Sequence, residues 1–496
     1  MKSIPDCLTT FYHSLIQRAG RSGNCGLLAA VVLSCTATAA NAAKTGVIAY
    51  TSDQDLAGVR EIYQVDVKTS TVTKLNPPLD GDRDVSSRFQ IDPKGKSIVY
   101  RADQNVEDTS ELFHVDLKTR VVTQVNGPLV AGGEVTSNFE VVPKGSKVVY
   151  LADQDIDDTF ELYLSDIKTS TITKLNSPAL PAGRSLENFV LNAKGTAVAY
   201  LADKDQDDVF ELYYVDFKSG ENRKLNPDLS AGQGVGGDYL FSPKGTSVVY
   251  RANQDSSLTT ELYLADLKSG LVRKLNPPLV AGGEVRSQPR IDPKGKFVVY
   301  LADQEVSSVE ELFRVDLKTS AVTKLSLPVA VDDEIFNFEI APDGASVVYA
   351  WYHDATNVID LMQVDLKSGT VTQLNPPLPS GGQAFLFEIG PKSSTVAYIA
   401  NQDTTDTFEL YLTDTKTSSN VKLNSPLVAG GDVESVSMDP KGKYILYIAD
   451  QEVDDVFELF MVDIKTGNVT KLSRPPADHG VDSVGIQGVR TPNVTT

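Results

Sequence analysis

The sequence predicts an all-β chain closed into a β-propeller of four-stranded antiparallel blades, and three observations predict it. A tyrosine recurs at Tyr50, Tyr100, Tyr150, Tyr200, Tyr250, Tyr300, Tyr349, Tyr398 and Tyr447, spaced by 50 five times and then by 49 three times. Around each tyrosine lie four short segments rich in β-branched and aromatic residues, separated by turn residues. The two chain ends carry complementary fragments of one further repeat.

The second repeat shows the four strands, here called a to d. Strand a is predicted over Val85 to Ile91, b over Lys96 to Ala102, c over Glu111 to Asp116, and d over Val121 to Asn126. Asp92-Pro-Lys-Gly95 breaks a from b, and Lys-Thr-Ser or Lys-Ser-Gly breaks c from d in most copies. No segment sustains a helical period. One such sheet cannot cover both of its faces, so its neighbours must.

The first copy, Thr45 to Asn76, has strands b, c and d but no a. The segment Val481 to Gln487 looks like a lone strand a and matches Val433 to Asp439. Eight complete blades and one assembled from both ends make nine; eight blades with a detached end is the alternative count. The expected domain organisation is a signal segment over 1–43, one propeller over 44–488 closed by 481–487, and a tail over 489–496.

The chain has 496 residues and a formal charge of −20. That charge argues against nucleic acid and anionic membrane surfaces as partners. Cys7, Cys25 and Cys35 are the only cysteines, so the repeats can form neither a disulfide nor a thiolate metal site. Arg18 and Arg21 precede an apolar run from Leu27 to Leu33 and the small residues Ala39-Ala40-Asn41-Ala42-Ala43. This reads as an export signal cleaved near Ala43 or Lys44, giving a periplasmic or secreted protein. Acylation at Cys35, giving a lipoprotein, is the alternative. No other stretch is long and apolar enough to span a membrane.

Pro-Lys-Gly-Lys-x-Val-Val-Tyr, then Glu-Leu-Tyr-x-x-Asp, then Val-Thr-Lys-Leu resembles the WD40-like (PD40) repeats of TolB-type propellers, across essentially the whole chain after the signal segment. The resemblance implies the fold and little about activity. TolB carries an α/β domain before its propeller, and none is read here, so a role in the Tol–Pal system does not carry over. Similar blades cap prolyl oligopeptidase-like peptidases, but no hydrolase segment and no Gly-x-Ser-x-Gly is found.

In an up-down-up-down blade the a–b and c–d turns share one face and the b–c and d–a loops the other. The c–d turn carries a lysine in all nine copies and the a–b turn in seven of eight, Asp343 being the exception. The b–c loops are acidic, as in Asp153-Gln-Asp-Ile-Asp-Asp158. The predicted disc is basic on one face and acidic on the other.

The b–c loops also have the spacing of a calcium loop, with acids at positions 1, 3, 5 and 9. These are Asp153, Asp155, Asp157 and Glu161 in the third copy, and Asp203, Asp205, Asp207 and Glu211 in the fourth. The ninth offers Asp450, Glu452, Asp454 and Glu458, and the second Asp103, Asn105, Glu107 and Glu111. Alternating hard oxygens on a tight loop suit Ca²⁺. Against this, position 6 is Asp158, Asp208 or Asp455 rather than glycine. The position-9 acid also persists as Glu261 where position 1 is Asn253 and position 5 is Ser257, which assigns it a structural role.

The histidines, His13, His114, His353 and His479, form no repeated set, which argues against a histidine metal ring. Arg88, Asn138, Asn188, Asp238, Gln288 and Asn337, in mid strand a, are read as lining a polar channel. The seventh b–c loop breaks the pattern with Trp351-Tyr352-His353, a candidate partner-binding spot against simple drift of one copy. The expected function is therefore non-enzymatic binding or scaffolding of a protein or cell-envelope ligand by a monomer, through the acidic face. A propeller hydrolase or lyase acting on a carbohydrate or small molecule is the alternative.

Overall fold

The computed structural model describes residues 47–473 and 481–486, apart from 80, 82, 182 and 287. Among them every regular element is a strand, and the strands form nine separate four-stranded antiparallel sheets, the blades of a nine-bladed propeller. The export segment, His13, His479, the three cysteines, Gln487 and the 489–496 tail lie outside the described residues. No helix among the described residues is long and apolar enough to cross a membrane.

In the second blade strand a is Val85–Ile91, b Ser97–Ala102, c Glu111–Asp116 and d Val122–Gln124. Strand d is shorter than predicted because Val121 and Asn126 serve other ends. Val121 supplies a turn carbonyl to the Asp116 amide, and the Asn126 side chain accepts from the Leu112 amide, closing strand c onto the end of d. Asn176 does the same for Leu162.

The repeating tyrosine sits in the middle of strand b and is fully buried in every blade. It faces an aromatic residue directly across on strand c, as in Tyr150 opposite Tyr163 with ring centroids 5.5 Å apart. In the seventh blade the opposite residue is Met362. Around these rings the core divides into nine apolar clusters, each shared by two adjacent blades. Phe139 and Tyr150 pack with Val99 and Leu112 of the blade before. One cluster joins Ile48 and Tyr50 of the first blade to Leu446, Ile448 and Leu459 of the ninth. Packing thus runs continuously around the ring, which is how a sheet that is apolar on both faces buries them.

The first blade takes its strand a from the far end of the chain. Val481–Ile486 pairs antiparallel with Ile48–Ser52, placing Ile48 opposite Ile486 and Ser52 opposite Val481.

The c–d turns are built around an aspartate. Asp166 Oδ1 accepts from the Lys168 and Thr169 amides, leaving the lysine side chain on the exposed turn. These Asx turns, with the a–b turns, make up the lysine-bearing face.

Candidate functional site: the acidic loop face

The b–c loops are short hairpin connections, and each acidic position in them has a distinct fate. In the third blade Asp153, at position 1, is buried. Its Oδ1 accepts from the Glu134 amide at 2.6 Å, and its Oδ2 accepts from the Asp158 amide at 3.0 Å. It therefore pins the b–c loop to the d–a loop beside it. The corresponding Asp450 accepts from the amides of Asp432 and of Asp455, the latter at 3.0 Å. Burial holds the Asp450 carboxyl above its ordinary range despite those amides.

Positions 3 and 9 converge on a lysine instead of a loop centre. Lys174, at the end of strand d, lies 2.7 Å from Asp155 and also donates to the buried Glu161. Glu161 in addition accepts from the Tyr163 hydroxyl at 3.1 Å and the Leu180 amide at 3.0 Å. Burial opposes the charge on Lys174, but its bonds to Asp155 and Glu161 outweigh that and hold the ammonium above its usual range. Burial beside Glu161 and Asp155 also pushes the Tyr163 hydroxyl upward. The same unit recurs as Asp205, Glu211 and Lys224, and as Glu452, Glu458 and Lys471. In the second blade Asn105 and Gln124 replace the charged partners and donate to Glu111 at 2.7 and 2.6 Å. The structural role expected for the position-9 acid is this one. The lysine partner was missed from sequence, although it stands 13 residues after the glutamate in seven of the nine copies.

Positions 5 and 6 are what remains. Carboxylate oxygens of Asp153, Asp157 and Asp158 lie within 4.8 Å of one another, as do those of Asp450, Asp454 and Asp455. These are positions 1, 5 and 6, a different set from the 1, 3, 5 and 9 of the calcium spacing. A residue at positive φ, Asp158 at 59° and Asp455 at 61°, folds the loop back so that position 6 returns to position 1. The facing d–a loop presents Gly132 and Gly430, where an added Cβ would come within 2.6 Å of Asp157 or Asp454. The fourth blade does not assemble this set: Arg184 pairs with Asp207 at 3.3 Å. In the second blade Asp103 accepts from the Asp84 amide, while Glu107 is exposed.

The seventh b–c hairpin is two residue pairs longer, with strand b over Ser346–His353 and strand c over Val358–Asp365. Asp360 stands where other blades have glutamate, and Gln373 where most have lysine. Gln373 donates to Asp360 at 2.8 Å. His353 takes the place of the lysine: its Nε2 lies 3.4 Å from Asp360 Oδ2 and its Nδ1 3.3 Å from Asp333 Oδ2. The Asp360 hydrogen bond and the two carboxylates raise the imidazole above its ordinary range in spite of burial. Trp351 packs on His353, with centroids 4.4 Å apart, and Tyr352 is buried. Of the candidate trio Tyr352 is thus buried, while Trp351 and His353 are half-buried and engaged with each other and with Asp333 and Asp360.

The residues read as channel-lining are mostly engaged between or within blades. Asn188 accepts from the Tyr239 hydroxyl of the next blade. Asp238 pairs with Arg251 at 2.6 Å, and Gln288 accepts from Arg290 at 3.0 Å. The Arg88 guanidinium lies 5.8 Å from the Phe139 ring centre. Asn337 sits at a register shift in strand a of the seventh blade. Asn138 Oδ1 is buried without a hydrogen bond. Burial pushes His114 downward, consistent with a packing residue.

Neither a scan against protein-family models nor a search of curated proteins finds a match. Among solved structures the chain is similar to dipeptidyl peptidase 4 of Porphyromonas gingivalis, with TM-score 0.55 and 10% identity over 78% of this chain and 59% of that one. Oligogalacturonate lyase of Vibrio parahaemolyticus matches with TM-score 0.41 and 16% identity over 71% and 96%. TolB of Acinetobacter baumannii matches with TM-score 0.31 and 15% identity over 71% and 82%. The chain spans 59% of the length of the peptidase it matches. At 10% identity the likeness to the peptidase is one of fold alone.

Proposed function

We propose that this chain is an extracytoplasmic, non-enzymatic binding protein that engages a protein partner through its acidic loop face. One observation carries the reading: the acids divide into those spent on the fold and those left facing solvent. Position-1, -3 and -9 carboxylates hold loops and lysines in the third, fourth and ninth blades, whereas Asp157, Asp158, Asp208, Asp454 and Asp455 are exposed on the loop tips, as is Asp207 beside Arg184. A reactive carboxylate pair would stand out from the copies, but these units recur around the ring. A broad field of one sign favours fast, steered encounter with a basic partner.

The test is capture from a cell-envelope extract by the chain lacking residues 1–43, alongside two variants. One carries asparagine at those six aspartates; the other carries glutamine at the c–d turn lysines. The reading requires the retained protein to be lost with the first variant and kept with the second. Capture indifferent to the aspartates would refute it. Export is tested separately, by N-terminal sequencing of the protein from its host, expected to begin near Ala43 or Lys44.

A divalent cation on the third and ninth loops is a second reading, supported by the convergence of Asp153, Asp157 and Asp158 and of their ninth-blade counterparts. Calcium is the preferred ion, because flexible carboxylate loops suit it better than magnesium. Calorimetry should show saturable calcium heat that Asp157→Asn with Asp454→Asn removes. Heat that sodium chloride reproduces at equal ionic strength would reduce it to screening.

A further inference from the structure

The loop tips are not uniformly polar. Position 4 of the b–c loop is Val453, Leu56, Val106 and Ile156 in the ninth, first, second and third blades, four consecutive blades across the ring closure. Their exposures are 48%, 50%, 56% and 45%, high for aliphatic side chains. The cause is local. Each supplies the carbonyl of a tight turn, to the amides of Val456, Val59, Thr109 and Thr159 at 3.0 to 3.1 Å, which stands its side chain out at the tip. The fourth, fifth and eighth blades carry Gln206, Ser256 and Thr404 at this position, and the sixth carries Val306.

Beside three of these aliphatic tips stand pairs of exposed acids: Asp454 with Asp455, Glu107 with Asp108, and Asp157 with Asp158. None of the six forms a salt bridge with a lysine or arginine among the described residues. The position-3 acids, by contrast, are neutralised by lysine in the ninth, first and third blades.

We propose that this four-blade sector is a docking surface for a cationic, aliphatic-rich segment of a partner protein, with basic side chains between the paired acids and apolar ones on the tips. The proposal rests on the acidic-face reading and narrows it to one sector and one partner chemistry. Charge complementarity selects the partner. An anionic lipid surface meets six unneutralised carboxylates, and a second copy of this face brings its own. Apolar contact adds what charge alone lacks, since each tip can still lose about half of its surface to a partner.

The experiment uses two short probes, a peptide alternating lysine and valine and the same peptide with serine for every valine. The chain lacking residues 1–43 should bind the valine peptide with a Kd about ten-fold lower than the serine peptide. The combined Leu56→Ser, Val106→Ser, Ile156→Ser and Val453→Ser variant should bring the two affinities together. Leu258→Ser, at a 92% exposed fifth-blade position, should leave the difference intact. Equal affinities for the unsubstituted protein overturn the inference while leaving the acidic-face reading standing; that arm does not depend on any variant folding. Binding of neither peptide overturns both. Sedimentation with phosphatidylcholine vesicles, or concentration-dependent dimerisation, either one abolished by the serine variant, would also overturn it in favour of a lipid or a second copy.

Discussion

Lys174 reaches from the end of strand d to the buried carboxylate of Glu161 at the head of strand c, two residues separated by 13 positions and joined by one charge-assisted hydrogen bond. Glu161 is 1% exposed, whereas the Asp155 side chain on the same lysine is 48% exposed. Glu161→Ala removes one of the two carboxylates on the lysine and the acceptor for Tyr163 and Leu180. With Asp155 still on the lysine, it should lower stability by about 2–3 kcal/mol, chiefly by leaving the buried Tyr163 hydroxyl and Leu180 amide without their acceptor. Asp155→Asn should cost at most about 1 kcal/mol, as for an exposed pair. Denaturant titration of both variants checks the order; equal losses would refute the division of roles.

His353 should make the seventh hairpin sensitive to pH. Its folded pKa is raised above the unfolded value by Asp360 and Asp333. The stabilisation is therefore complete below about pH 6.5, and is lost as pH rises through the folded value. Hydrogen exchange over residues 346–365, corrected for intrinsic rates, should show stronger protection at pH 6 than at pH 8. His353→Gln should flatten that difference, and a histidine titrating below its ordinary range would contradict the assignment.

Glu339 also weakens the fold as pH rises, but because its ionised form is penalised rather than because an ion pair is lost. Burial pushes its carboxyl up to about 8, Arg290 offsetting this in part and Glu388 adding to it. The ionised form then weakens the fold above that pH, and the penalty is relieved as protons bind between pH 8 and the ordinary carboxylate range. Gln90 occupies the same place in the second blade and donates to the Phe139 carbonyl of the next blade. Glu339→Gln should accordingly raise Tm at pH 8.5 by about 1–3 °C, and by less at pH 5. A loss of stability at high pH would show that the ionised carboxylate is needed.

Removing the chain after residue 480 takes strand a from the first blade and bares the edge of Ile48–Ser52. A ring whose core runs through every blade boundary should lose Tm by about 5 °C or more and expose the ninth–first cluster. Scanning calorimetry with a dye-binding control checks this. An unchanged melting curve would mean that the closing strand contributes little.

Much of this protein is legible in one repeat. While the pairing of Val481–Ile486 with Ile48–Ser52 decides the count of nine, a recurring tyrosine every 49 or 50 residues, alternating apolar positions and Asp- or Gly-based turns determine the four strands, the repetition of the blade and the separation of lysine turns from acidic loops. These are local and periodic properties, and side-chain alternation along a strand carries them directly. The acids are different. Asp153, Asp155, Asp157 and Glu161 are evenly spaced in sequence and look equivalent, yet Asp155 and Glu161 belong to Lys174 on strand d, while Asp157 and Asp158 return to Asp153. Strand register across c and d decides the first pairing, and the positive-φ turn at Asp158 decides the second. Neither is a property of the loop residues taken in order. The seventh blade makes the same point, since the spacing of Trp351 and His353 does not show that a longer hairpin places the imidazole between Asp333 and Asp360. The sequence by itself determined the blade; only the tertiary structure decided which charges the blade keeps for itself and which it leaves exposed to solvent, because that choice depends on distances across strands and loops that a linear spacing does not contain.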